Sequence, residues 1–174
     1  MSIRWRSISL LFVNEPDPES GYFTMTERTH KLLRVMEAVR ASDGEEAVGE
    51  LYTEYGRRIM HDHEFEFDVA EALVAIGLDS ARAEAFEDDK WDPVIRAEMA
   101  EGLALTGEDV GTPIIGFDDD EGNRVGLFGP VISRPLGREA SLKLWDGFVI
   151  MATVPGFWEV KRTRTEEPRF GPRP

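Results

Sequence analysis

The chain contains no cysteine. That absence excludes a disulfide framework, a thiolate metal site and any thiol nucleophile within these residues. Positive charge is scarce as well: 20 lysines and arginines stand against 34 aspartates and glutamates, a formal net charge of −14. Such a balance repels phosphate backbones and anionic membrane surfaces, so neither nucleic acid nor a membrane is expected as a partner. No apolar stretch approaches the length of a membrane span. The run Ile8-Ser9-Leu10-Leu11-Phe12-Val13 after Arg4 and Arg6 imitates a signal peptide. It is short, however, Asn14-Glu15-Pro16-Asp17 follows at once, and no small-residue cleavage pattern appears. A cytoplasmic location is expected. Gly-x-Ser-x-Gly, Walker and dinucleotide fingerprints are also missing.

What is present is enough to bury a sizeable core: 174 residues, 41% of them hydrophobic. Ile3 to Val13 alternates, with Ile3, Trp5 and Ser7 to one side, and then becomes continuously apolar, which predicts a strand. Pro16 to Gly21 reads as a loop. The middle is helical. Leu32, Leu33, Val35, Met36 and Val39 form one apolar stripe ending at Asp43-Gly44, and Val48, Leu51, Tyr52, Tyr55 and Ile59 form a second. Asp68 to Ile76 and Ser80 to Phe86 are shorter candidates. A fifth runs from Trp91 to Leu105, with Pro93 in its first turn and Val94, Ile95, Met99, Leu103 and Leu105 buried. Pro113 to Phe117 and Val125 to Phe128 then predict a hairpin around the acidic tip Asp118-Asp119-Asp120-Glu121-Gly122-Asn123. After Pro135-Leu136-Gly137 comes a helix with Leu142, Leu144, Trp145, Phe148, Val149 and Met151 inward. Phe157-Trp158 is expected to anchor its far side, ahead of a polar tail from Lys161 to Pro174.

The chemistry-bearing candidates are few. Gly107-Glu108-Asp109-Val110-Gly111-Thr112-Pro113 joins the fifth helix to the hairpin. Its Thr112-Pro113 pair reads either as an ordinary trans proline opening a strand or as a cis-proline turn that exposes backbone groups to an extended ligand. Asn14 ends the first predicted strand on the side where ligands approach open α/β sheets, and Tyr22 in the following loop reaches the same side. His61-Asp62-His63 gives only a partial metal shell and reads as a solvated connector. His30 lies on a helix without an evident partner. The acidic tip lacks the glycine and glutamate positions of a calcium loop. Trp145, Phe148, Phe157 and Trp158 read as core aromatics or as the wall of an aromatic cleft. Arg162 and Arg164 read as an exposed basic tail or as contacts to an anionic cofactor.

Several segments together resemble a known family. Leu51-Tyr52-Thr53, Gly107 to Pro113, Phe128-Gly129-Pro130-Val131, Lys143-Leu144-Trp145-Asp146 and Lys161-Arg162-Thr163-Arg164-Thr165-Glu166 are similar, at matching spacing, to the mycothiol-dependent nitroreductases. These form the actinobacterial branch of the DsbA-like, thioredoxin-fold proteins. Ser9-Leu10 through Asn14-Glu15 resembles the end of that family's second strand. The resemblance implies an α/β thioredoxin-like fold, with residues 1–23 and 106–174 as its core and 24–105 as a helical insertion. It further implies a thiol–disulfide oxidoreductase with mycothiol as reductant and a low-molecular-weight thiol or small-molecule acceptor as partner. Val110, Gly111, Thr112 and Pro113 would then position the substrate, while Asn14 and Tyr22 shape its pocket.

The departure from the family pattern is equally specific. The family carries a first strand and a helix opening with Cys-x-x-Cys ahead of the segment that matches Ile3 to Val13, and neither is found here. By that resemblance the chain is expected to lack its first strand and first helix, to be redox-inactive as written, and to belong to a longer product. The alternatives are a non-catalytic thioredoxin-like binding protein that uses an open strand edge to pair with a partner or to form a homodimer, and a truncated, decayed gene product that never accumulates.

Overall fold

A computed structural model describes residues 3–174. They divide into two compact units, one ending at Glu101 and the other running from Gly102 to Pro174. No helix among the described residues is long and apolar enough to cross a membrane.

The first unit is helical. Ile3 to Ser9 is irregular and leads into a short helix α1 (Leu10–Asn14), followed by α2 (Gly21–Asp43) and α3 (Glu45–Gly56). A π-helical turn at Arg57–His61, α4 (Val69–Ala75), 3-10 segments at Ser80–Glu87 and Asp89–Trp91, and α5 (Asp92–Thr106), whose residues from Gly102 on belong to the second unit, complete the helical series. Side-chain caps set the starts. Ser20 accepts from the Phe23 amide at 3.1 Å, and Asp68 accepts from the amides of Ala70 and Glu71. Each cap satisfies amides that a helix start leaves without an intrahelical partner. Gly44, at φ +92, separates α2 from α3 in a conformation that other residues adopt only under strain. Val35, Val39, Val48, Leu51, Ala72 and Leu73 are fully buried where α2, α3 and α4 meet.

The strand expected over Ile3 to Val13 does not form. Its period-two alternation does describe the burial, since Trp5, Ser7 and Ser9 turn inward and the two serines are buried. Those inward groups bind side chains of α2 instead of a neighbouring strand. Arg40 Nη2 donates to the Trp5 carbonyl at 2.7 Å, and the Ser7 hydroxyl donates to buried Glu37 at 2.6 Å. Ser9 then accepts from the Phe12 amide at 3.3 Å as an N-cap, which turns the apolar run into α1. Three residues expected inside are largely exposed: Tyr52, Val94 and Leu142 at 50%, 40% and 51%. Tyr52 nevertheless stacks on Trp5 at 4.5 Å.

The second unit holds β1 (Ile114–Asp118), β2 (Arg124–Phe128) and α6 (Arg138–Thr153). The strands pair antiparallel, Ile114 opposite Phe128 and Asp118 opposite Arg124, and make the chain a mixed α/β protein. Asp119 closes the turn between them by accepting from the amides of Glu121 and Asn123 at 2.9 and 2.8 Å. Register decides what each face does. Phe117 lies on one face and packs against Trp145 and Phe148 of α6, with ring centroids 6.0 and 6.3 Å away. On the other face Gly116 sits opposite Gly126, and the Leu105 side chain fills the shallow left by the pair.

The two glycines differ in what a methyl group would meet. At Gly116 it would lie 2.6 Å from the mobile tip of Leu105, which can turn away. At Gly126 it would lie 3.0 Å from the Ile115 carbonyl oxygen and 3.3 Å from the Gly116 Cα, backbone atoms that cannot. Gly126→Ala is therefore expected to destabilise by about 1–3 kcal/mol, and Gly116→Ala by less, despite its shorter contact. Urea midpoints of the two variants check the order, and the reverse order would refute this packing. In the first unit, Leu73→Ala is expected to cost about 2–5 kcal/mol by the same measurement.

Candidate functional site

The loop before β1 is built from a helix end. Gly107, at φ +89, stops α5 by donating its amide to the Leu103 carbonyl at 2.7 Å. Val110 is half-buried, while Gly111, Thr112 and Pro113 are exposed. The Thr112-Pro113 and Gly129-Pro130 peptide bonds are both cis. The Pro113 carbonyl accepts from the Gly129 amide at 2.7 Å, which ties the loop to the strand beyond Phe128. The Thr112 amide and carbonyl take part in no hydrogen bond among the described residues. An exposed, tethered backbone with one donor and one acceptor suits an extended ligand.

In the other unit the structure brings Asn14 and Tyr22 together. Asn14 closes α1, and its amide Nδ2 donates to the Tyr22 hydroxyl oxygen at 2.6 Å. Tyr22 lies in the first turn of α2, a correction to the loop position expected for it, because Ser20 starts that helix early. Both side chains are exposed. With the phenol oxygen already accepting from Asn14, the Tyr22 O–H proton remains to be donated outward.

Beneath α1 lies a polar cluster that sequence reasoning missed. His30 is 2% exposed and partnered on both nitrogens: Nδ1 lies 3.0 Å from the Ser9 hydroxyl and Nε2 3.0 Å from Asp92 Oδ1. Arg34 grips the same carboxylate twice, Nε at 2.6 Å and Nη2 at 2.9 Å. The carboxylate accepts only, so the proton sits on Nε2 and Nδ1 accepts from Ser9. The composition is that of a Ser-His-Asp triad, but the arrangement cannot act as one. Ser9 is wholly buried, its hydroxyl accepts from the Phe12 amide while donating to His30, and no substrate carbonyl can reach it. Burial lowers the His30 imidazole below its ordinary 6.5, more than Asp92 raises it, and the charges of Arg34 and Arg96 act in the same direction as burial. Burial alone would raise the Asp92 carboxyl, but the Arg34 hydrogen bonds and neighbouring positive charge outweigh it and hold the group below the usual range.

The remaining candidates separate cleanly. Phe148 is buried and stacks on Trp145 at 6.0 Å, so both belong to the packing of α6 on the hairpin. Trp158 is 86% exposed and anchors nothing, a correction to the expected role of Phe157-Trp158. Arg162 and Arg164 are exposed. Among the described residues, no three His, Cys, Asp or Glu side chains converge as a metal site would require. The Ser9–His30–Asp92 cluster escaped notice because its members stand 21 and 62 residues apart with no local motif. The available signal was a histidine set among the inward positions of α2.

These features define a cysteine-free α/β protein with a proline-bounded loop ahead of a hairpin and an exposed Asn–Tyr pair on its helical unit. A family model described as Rv2466c-like, mycothiol-dependent nitroreductase Rv2466c, matches residues 1–162. The chain belongs to that family.

The His30 environment has a pH consequence. The folded state holds this imidazole neutral at a pH where the unfolded state already binds a proton, so its contribution is intact above about pH 6.5 and declines as pH falls toward the folded value. Asp92 adds a second loss at lower pH, below the ordinary carboxylate range. Denaturant midpoints should thus fall between pH 7.5 and 5.5 in the wild type, and His30→Gln should flatten that fall. An unchanged slope in the variant would contradict the assignment.

Proposed function

We propose that each unit of this chain supplies substrate contacts to a DsbA-type, thioredoxin-like oxidoreductase that works with mycothiol, and that the reactive sulfur comes from outside these 174 residues. The family match over residues 1–162 carries the reading. The absence of cysteine carries its second half, because no thiol nucleophile exists within the chain. Mycothiol supplies reducing equivalents as a thiol. Oxidising two thiols to a disulfide frees two electrons and two protons, enough to reduce an acceptor disulfide, or to take a nitro group to nitroso with loss of water.

Each part of the chain then has a task. Thr112 offers its unbonded backbone donor and acceptor to an extended thiol ligand, held in place by the Pro113–Gly129 hydrogen bond. Val110 and Gly111 shape the approach to it. Tyr22, fixed by Asn14, directs its hydroxyl proton to an acceptor oxygen such as that of a nitro group. The acidic surface is compatible with small thiol or nitroaromatic partners and with a cytoplasmic setting.

The test compares two forms. The 174-residue chain with mycothiol and a nitroaromatic acceptor should show no turnover. Joined to an N-terminal segment bearing Cys-x-x-Cys it should turn over, and Tyr22→Phe in that form should raise KM about tenfold, the equivalent of one lost hydrogen bond of ~1.4 kcal/mol. Turnover by the short chain would overturn the placement of the sulfur. A folded but inactive joined form would overturn the reading itself.

A further inference from the structure

α1 is too short to hold itself together. An isolated helix of five residues is far below the length at which helices persist in water, and α1 buries none of its own residues. What holds it comes from His30. The Ser9 hydroxyl that caps α1 is itself fixed by donating to His30 Nδ1. Phe12, in the middle of α1, packs its ring on the imidazole at 4.4 Å and carries the Arg96 guanidinium 3.7 Å above its centre. One edge and one face of a single imidazole therefore support a helix whose last residue is Asn14. His30 is held in turn by Asp92, which Arg34 clamps in place.

We propose that Ser9, His30 and Asp92 form a positioning relay for the Asn14–Tyr22 pair, and that a proton gained by His30 loosens that pair. The relay rests on the reading of Asn14 and Tyr22 as substrate-facing. A proton on Nδ1 turns it from acceptor to donor. Ser9 Oγ would then accept from both His30 and the Phe12 amide, and its own buried O–H would lose its acceptor. The surroundings decide when this happens. Asp92, from α5, favours the charged ring; Arg34, on α2 itself, and Arg96, from α5, oppose it; Ser9 and Phe12, from the N-terminal segment and α1, are neutral. His30 is a positioning residue, because it reaches Asn14 only through Ser9 and α1 and shares with Tyr22 only the helix α2.

The test reads structure and does not depend on activity. In the isotope-labelled full chain, the His30 ring proton and the Asn14 side-chain amide are followed by NMR from pH 8 to pH 5. The Asn14 resonances should move with the His30 midpoint, below 6.5, and should be flat over that range in His30→Gln. Resonances that stay still while His30 titrates would overturn the relay. So would an unchanged titration of the Asn14 resonances in His30→Gln. The two readings fail separately: if Tyr22→Phe leaves KM unchanged in the cysteine-bearing form, the substrate role falls, while the relay is still judged by its resonances.

Discussion

The polar seam along α2 is the constraint on which the first unit depends. α2 buries an apolar stripe of Leu32, Val35, Met36 and Val39, and with it His30, Glu37 and most of Arg34 and Arg40. A buried polar group without a partner costs roughly 1–3 kcal/mol, so each of these four must be answered. Within α2 only Arg40 and Glu37 partner each other, Nε to Oε2 at 2.9 Å, and both still need groups from other segments. Ser9 and Asp92 answer His30, and Asp92 also answers Arg34. Ser7 answers Glu37, and the Trp5 carbonyl with Glu45 answers Arg40. The N-terminal segment and the start of α5 are thus fastened to α2 by hydrogen bonds and ion pairs.

That seam explains what could and could not be read from the sequence. The helices of the first unit were legible, because Val48, Leu51 and Tyr55 keep helical spacing and Gly44 and Asp68 mark helix boundaries. The hairpin was legible for a similar reason, with two short apolar strands flanking an acidic turn. Ile3 to Val13 was misread because alternation reports only that a chain is extended and one-sided. It does not say whether serine and backbone groups will meet a strand or a polar helix face. His30 was illegible for the complementary reason, since its partners are brought to it only by the folded arrangement of three segments.

Of the candidate site residues, the loop Val110 to Pro113 was visible as a break between a helix and a strand, and Asn14 and Tyr22 from a predicted strand end and the loop after it, a reading the family resemblance reinforced. What the structure adds is their surroundings: a tethered loop with an exposed Thr112 backbone, and a hydrogen-bonded Asn–Tyr pair resting on a five-residue helix. The chain belongs to a mycothiol-dependent nitroreductase family and carries no cysteine, and the proposed function answers that pairing with a division of labour. In the proposed function, binding and orientation lie within these residues and electron transfer draws on sulfur from elsewhere.

Chemical-shift mapping with mycothiol tests that division most directly, because in a chain without cysteine it reads binding separately from reaction. Mycothiol added to the labelled 174-residue protein should shift the amides of Val110 to Thr112 in a saturable way. Saturable binding that leaves that loop untouched and shifts other residues instead, or no binding at all, would contradict the account.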